Sequence, residues 1–160
     1  MHFWTRIQSM KTLILIRHAH ALSCGEARVN SDAQRPLSPQ GCQAARQTAT
    51  RLQERNLKPQ LMLHSPLLRA VQTAQIIAPV LQTPLQPAGE LNGFLADNEV
   101  ADFLKEQLQH TDLLAAVGHN PNVSCVCQQM TGQFFPFKPG AFAVLQFNDD
   151  WTLQHVSFGE

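Results

Sequence analysis

The chain lacks a surplus of either charge. Its 12 Lys and Arg offset 12 Asp and Glu across 160 residues, leaving a formal net charge of +0 and a pI of about 7.0. Its overall field therefore points to neither nucleic acid nor an anionic membrane surface, and any cationic site has to be local. It also lacks a long apolar run. The stretch Thr12 to Ile16 stops at Arg17 and His18, far short of the roughly 18 residues that a membrane span requires. The first nine residues hold neither a long apolar stretch nor a small-residue cleavage site, so they do not read as a secretory signal. Met10 begins the first regular pattern, which makes residues 1–9 an N-terminal extension or a misassigned start ahead of a single domain over 10–160. Zinc-knuckle spacing is missing from the four cysteines, Cys24, Cys42, Cys125 and Cys127. They read as reduced, mostly buried thiols, which fits a cytoplasmic protein. There is no internal repeat and no low-complexity tract.

What is present is an alternation of strand and helix patterns. Lys11 to Ile16 is short, apolar and β-branched enough for a buried strand, and a polar loop of about twenty residues follows it. Ser38-Pro39 opens a helix whose apolar face carries Cys42, Ala45, Ala49 and Leu52. Gln60 to His64 is a second strand. Ser65-Pro66 is expected to cap a helix through Leu81, and a short extended piece lies near Leu85. Asp97 to His110 has helical spacing, Leu113 to Val117 is a further buried strand, and a helix runs from Asn120-Pro121 to about Met130. Phe142–Phe147 and Leu153–Phe158 alternate like the two arms of a hairpin around Asn148-Asp149-Asp150. The pattern predicts a three-layer α/β/α sandwich with a mostly parallel central sheet.

In such sheets ligands bind beyond the carboxyl ends of the strands. Three strands end there in polar or charged groups: Arg17-His18, Ser65 through Arg69, and Gly118-His119-Asn120. Two arginines and two histidines thus meet on one edge, the composition of a phosphate site, because a guanidinium forks onto phosphate oxygens.

These residues also carry a resemblance. Leu15-Ile16-Arg17-His18-Ala19 resembles the Arg-His-Gly signature of the histidine phosphatase superfamily. The run from Ser65 to Ala74 (SPLLRAVQTA) resembles its second arginine motif, Gly118-His119-Asn120-Pro121 its second histidine motif, and Arg35-Pro36-Leu37-Ser38-Pro39-Gln40-Gly41 the segment supplying a further arginine. A lone Arg-His pair would carry no weight, whereas four ordered motifs spanning most of the chain do. The resemblance implies a minimal fold without a lid subdomain and a phosphoenzyme mechanism. In it His18 is the nucleophile, Arg17 and Arg69 clamp the phosphoryl group, and His119, cationic beside a bound phosphate, gives a further donor. Arg35 closes the pocket from the long loop. It implies no cofactor and no metal. His20 reads as a solvated loop residue, and His64, His110 and His155 carry no assignment. The leaving-group acid falls to Glu90, with Asp97 and Glu99 as rivals. Ala19 stands where the wider family has Gly, which is accommodated if its φ is negative.

Fewer than 50 residues separate Arg69 from His119, little material for a lid. An open pocket suits a phosphorylated side chain on a protein surface, whereas small metabolites usually need enclosure. That interval, Ala19 and the Asp32–Leu37 run resemble the small SixA type. The resemblance implies a monomeric phosphohistidine phosphatase acting on a phosphotransfer or phosphocarrier domain, with no nucleic acid and no membrane as partner. A small-molecule phosphomonoesterase and a non-catalytic phosphate-binding module are the alternatives.

Overall fold

In the computed structural model, which describes residues 9–160, one six-stranded sheet runs through the chain. Its strands are β1 (Lys11–Arg17), β2 (Leu61–His64), β3 (Leu85–Pro87), β4 (Leu113–Gly118), β5 (Phe142–Phe147) and β6 (Leu153–Gly159), in the spatial order β3-β2-β4-β1-β5-β6. The first four are parallel; β5 pairs antiparallel with β1, and β6 closes the sheet antiparallel to β5. The helices are α1 (Cys24–Ala27), α2 (Pro39–Glu54), α3 (Leu68–Leu81), α4 (Asp97–Leu108) and α5 (Asn122–Thr131). The proposed N-terminal extension lies almost wholly outside the described residues.

The layers follow from side-chain alternation along β1. Leu13 and Leu15 point into a core with Leu104 and Leu108 of α4 and Val126 of α5, while Ile14 and Ile16 point into one with Leu52 of α2 and Ala74 and Ile77 of α3. Because β1 is buried on both faces, it can be apolar throughout, as the sequence reads. The expected three-layer sandwich is present, and the interval between α3 and β4 holds β3, a 3₁₀ turn at Gly89–Leu91 and α4. No subdomain rises from it.

Local departures have physical causes. The helix after β2 starts at Leu68, with Leu67 at the cap position and no side-chain cap. Ser65 does not cap it; its Oγ accepts from the Leu67 N–H two residues on and turns toward β4 instead. The polar loop after β1 contains α1, held by a Ser23–Glu26 capping box, and a 3₁₀ turn at Asp32–Gln34. Ser38 caps α2 as expected, accepting from Gly41 N at 2.9 Å, an interaction of about 1 kcal/mol. The cysteines are free, but Cys127 alone of the four is buried, the other three being half-buried. Cys42 is only partly covered, packing against the small cluster of Ala19, Leu37 and Ala45.

Candidate active site

The carboxyl ends of β1, β2 and β4 bring the expected residues together because β4 inserts between β1 and β2. Arg17 pairs with Gly118 and His64 with Val117 in register, so His18, Ser65 and His119 all follow directly at the same edge. Backbone bonds hold them there: His18 N donates to Gly118 O and Ser65 N to Val117 O, each at 3.0 Å. The rings of His18 and His119 lie with centroids 5.0 Å apart.

His18 Nδ1 sits 2.7 Å from the carbonyl oxygen of Ala19. A carbonyl can only accept, so Nδ1 carries the proton, and in the neutral ring Nε2 keeps its lone pair. Burial, reinforced by His119, Arg69 and Arg17 against the pull of the Ala19 carbonyl, lowers the pKa of His18 to about 3. At neutral pH the ring is therefore a neutral nucleophile. Burial and the nearby Arg69 and Arg17 likewise lower His119 to about 4, with Asp32 pulling the other way. Its ring is neutral at pH 7, and a cationic form requires added negative charge beside it.

Arg17 is half-buried, and its Nη1 donates to Phe137 O at 2.8 Å. That oxygen also accepts from Asn120 Nδ2, while Asn120 Oδ1 accepts from Ser124, so the loop around Phe137 ties β1 to the start of α5. Arg69 is buried, and both of its terminal nitrogens meet Asp32: Nη1 donates to Asp32 O and Nη2 to Asp32 Oδ2, each at 2.9 Å. Asp32 Oδ1 accepts from Arg35 Nη1 at 2.9 Å. One carboxylate thus bridges two guanidiniums, and Arg35 first, then Arg69, hold it below the usual carboxylate range. Arg35 makes its remaining contact with Leu22 O and joins the site through Asp32, not by direct hydrogen bonds to the Arg17-His18 pair.

The carboxylates separate by contact. Asp97 accepts from Asn122 Nδ2, and Glu99 accepts from Ala96 N at the start of α4. Glu90 is exposed and lines a shallow concavity with Asn92 and Phe94. This loop reaches the site at Gly93, whose φ is +95° and whose added Cβ would come 4.0 Å from His119. Ala19 is fully buried without a positive φ, and its N–H donates to Thr73 Oγ1. His20 is exposed, but its Nδ1 lies 2.8 Å from Ser38 Oγ and its carbonyl accepts from Ser38 N, so it anchors the loop.

Sequence reasoning placed Ser65 and Asn120 at this edge and noted the segments holding Asp32 and Thr73, but gave none of the four a role in the site. A signal existed for Thr73, a polar residue amid the apolar face Ala70, Ala74 and Ile77, where burial demands a hydrogen-bond partner. Among the described residues, two buried side-chain nitrogens have no hydrogen-bond partner, Arg17 Nε and His119 Nδ1, and both belong to this site. Buried polar nitrogens are seldom left unmatched, and their concentration at one edge marks a place built for a polar ligand.

Comparison with known proteins agrees with this geometry. The chain matches the model of the histidine phosphatase superfamily (branch 1) over residues 13–97. It is 34% identical over 111 residues to an uncharacterized protein of Picosynechococcus sp., a match covering 65% of this chain and 64% of that protein. Its fold is similar to that of the protein histidine phosphatase SixA complexed with tungstate, with TM-score 0.78, 24% identity, and coverage of 93% and 94% of the two chains. A mycobacterial glucosyl-3-phosphoglycerate phosphatase is similar with TM-score 0.70 and 13% identity over 94% and 98%. At these identities the structural likenesses speak for the fold alone. The family match takes in Arg17, His18 and Arg69, and the fold adds His119 from beyond the matched segment, so the chain belongs to the histidine phosphatase superfamily.

Proposed function

We propose that the protein is a phosphatase working through a phosphohistidine on His18, and that its substrate is phosphohistidine on another protein. The observation that carries the reading is the setting of His18, a half-buried ring with Nδ1 anchored on Ala19 O and Nε2 left free to attack. A module that merely binds phosphate has no need for an aligned, neutral nucleophile.

In the first step His18 Nε2 forms a bond to phosphorus while the bond from phosphorus to the substrate nitrogen breaks. The leaving imidazole departs neutral when its ring was protonated, so the demand for an acid at Glu90 is small. In the second step water attacks phosphorus, the bond to Nε2 breaks, and inorganic phosphate leaves. Charge spread over the equatorial oxygens is met by Arg17, Arg69 and the ring of His119. No covalent change occurs at these groups, and their contribution is position and field.

The protein substrate is supported by the short interval between α3 and β4 and by the exposure of Phe94 and Phe134, on the two loops that carry Gly93 and Phe137 to the site. Exposed apolar side chains on loops that reach a cationic site suit a side chain presented on a protein surface. Rates on a phosphohistidine-bearing phosphotransfer domain, p-nitrophenyl phosphate and a panel of sugar phosphates test this. We expect kcat/KM to be highest on the protein, and a large preference for a sugar phosphate would reject the substrate assignment.

A further inference from the structure

The geometry points to Ser65 as a positioning residue that fixes the tautomer of His119, holding the ring proton on Nδ1, where it serves as a donor to a phosphoryl oxygen. The inference deepens the reading of His119 given above. Ser65 is fully buried, and its Oγ has two neighbours within hydrogen-bond distance among the described residues: Leu67 N at 3.2 Å and His119 Nε2 at 2.7 Å. A backbone N–H can only donate, so Leu67 occupies a lone pair of the hydroxyl and leaves the hydroxyl proton to be placed.

Two assignments are possible. In one, Ser65 donates to Nε2, which is then unprotonated, and the proton of the neutral ring sits on Nδ1. One buried group is then unmatched, the Nδ1–H. In the other, Nε2–H donates to Ser65, and both the hydroxyl proton and the Nδ1 lone pair are buried without a partner. Each buried unmatched group is costly, so the first assignment is favoured. It also gives the site what an oxyanion requires, because Nδ1–H joins Arg17 Nε–H as a buried donor with no partner in the protein.

Ser65 is placed for this task by the strand and turn around it. Its N–H donates to Val117 O, two residues before His119, which locks β2 to β4 where the two side chains meet. The Leu67 contact is a short side-chain turn that sets the direction of Oγ. This explains why Ser65 is not the cap of α3: its hydroxyl is committed to His119.

The test is a long-range proton–nitrogen correlation spectrum of the histidine rings in the uniformly ¹⁵N-labelled protein near pH 7, with His119 assigned by its loss in His119→Asn. We expect His119 Nε2 to resonate as an unprotonated nitrogen and Nδ1 as a protonated one. Ser65→Ala should redistribute the proton, and Ser65→Thr, which keeps the hydroxyl, should restore it. In turnover of p-nitrophenyl phosphate, Ser65→Ala should lose about fivefold in kcat, the worth of one ordinary hydrogen bond, with KM less affected and Thr recovering the loss. A protonated Nε2 in the unsubstituted protein overturns the inference even if Ser65→Ala fails to fold, as does a tautomer that Ser65→Ala leaves unchanged. The spectrum needs no turnover. Inactivity of the unsubstituted protein toward every phosphorylated substrate would reject the phosphatase reading while the spectrum still decided the tautomer.

Discussion

Lowering the pH should destabilise this protein through its two site histidines. Both are neutral in the folded protein, with pKa values lowered by burial to about 3 for His18 and about 4 for His119 from an ordinary 6.5. A histidine with a depressed folded pKa binds its proton first in the unfolded chain. Stability is therefore intact above the unfolded pKa and falls as pH drops below 6.5 toward the folded values. Between pH 7 and pH 5 the unfolded chain gains about 0.7 proton per site that the folded protein refuses, worth roughly 2 kcal/mol per histidine and about 4 kcal/mol for the pair. At about 2–4 °C per kcal/mol for a domain of this size, Tm should fall by about 8–16 °C over that interval through these residues alone. The depressed carboxylate Asp32 loses its contribution below its ordinary value of 3.8, outside the window. Thermal melts at pH 7, 6 and 5 should be compared with those of the double variant His18→Asn, His119→Asn, which removes both titrations. Vanadate, by placing negative charge between the rings, should flatten the dependence in the unsubstituted protein. An equal fall in Tm for the double variant, or no fall in the unsubstituted protein, would refute the assignment of neutral rings.

Asp32→Asn removes the charge that bridges Arg69 and Arg35. Because Asp32 is largely exposed, stability should drop by less than about 1 kcal/mol, whereas kcat/KM on p-nitrophenyl phosphate should fall about tenfold as Arg69 loses its orientation; undiminished activity would count against the bridge. Gly41→Ala should be destabilising by about 1–3 kcal/mol despite better helix propensity, since the new Cβ would meet the His20 carbonyl at 2.0 Å; Gly25→Ala, with open space around it, is the control, and equal melting temperatures would contradict the packing. Glu90→Gln should slow hydrolysis of an alkyl phosphate, whose leaving group needs a proton, and leave phosphohistidine turnover within about twofold. Equal losses on both substrates would show that Glu90 does not act as the leaving-group acid.

The sheet was legible because burial on both faces writes a run such as Leu13 to Ile16 into the chain, and the site because its charged residues stand directly after those runs. The small elements of the loop after β1 were not. The turn at Asp32–Gln34 draws its stability from Asp32 meeting Arg69, 37 residues away, a contact that no local periodicity records. Ser65 misled for a related reason. Ser-Pro ahead of an apolar helix is a capping signal, yet the hydroxyl faces His119, 54 residues on, and that preference is set by the pairing of β2 with β4. Partners of this kind become visible only once strand order is known.

The central claim is the bond between phosphorus and His18. The direct measurement is to mix the protein with a radiolabelled phosphohistidine substrate, quench in alkali within one turnover, and map the label by peptide analysis. Acid-labile, alkali-stable label on the peptide containing His18, and its absence from His18→Ala, is the expected result. Label on a different residue, or turnover that survives His18→Ala, would contradict it.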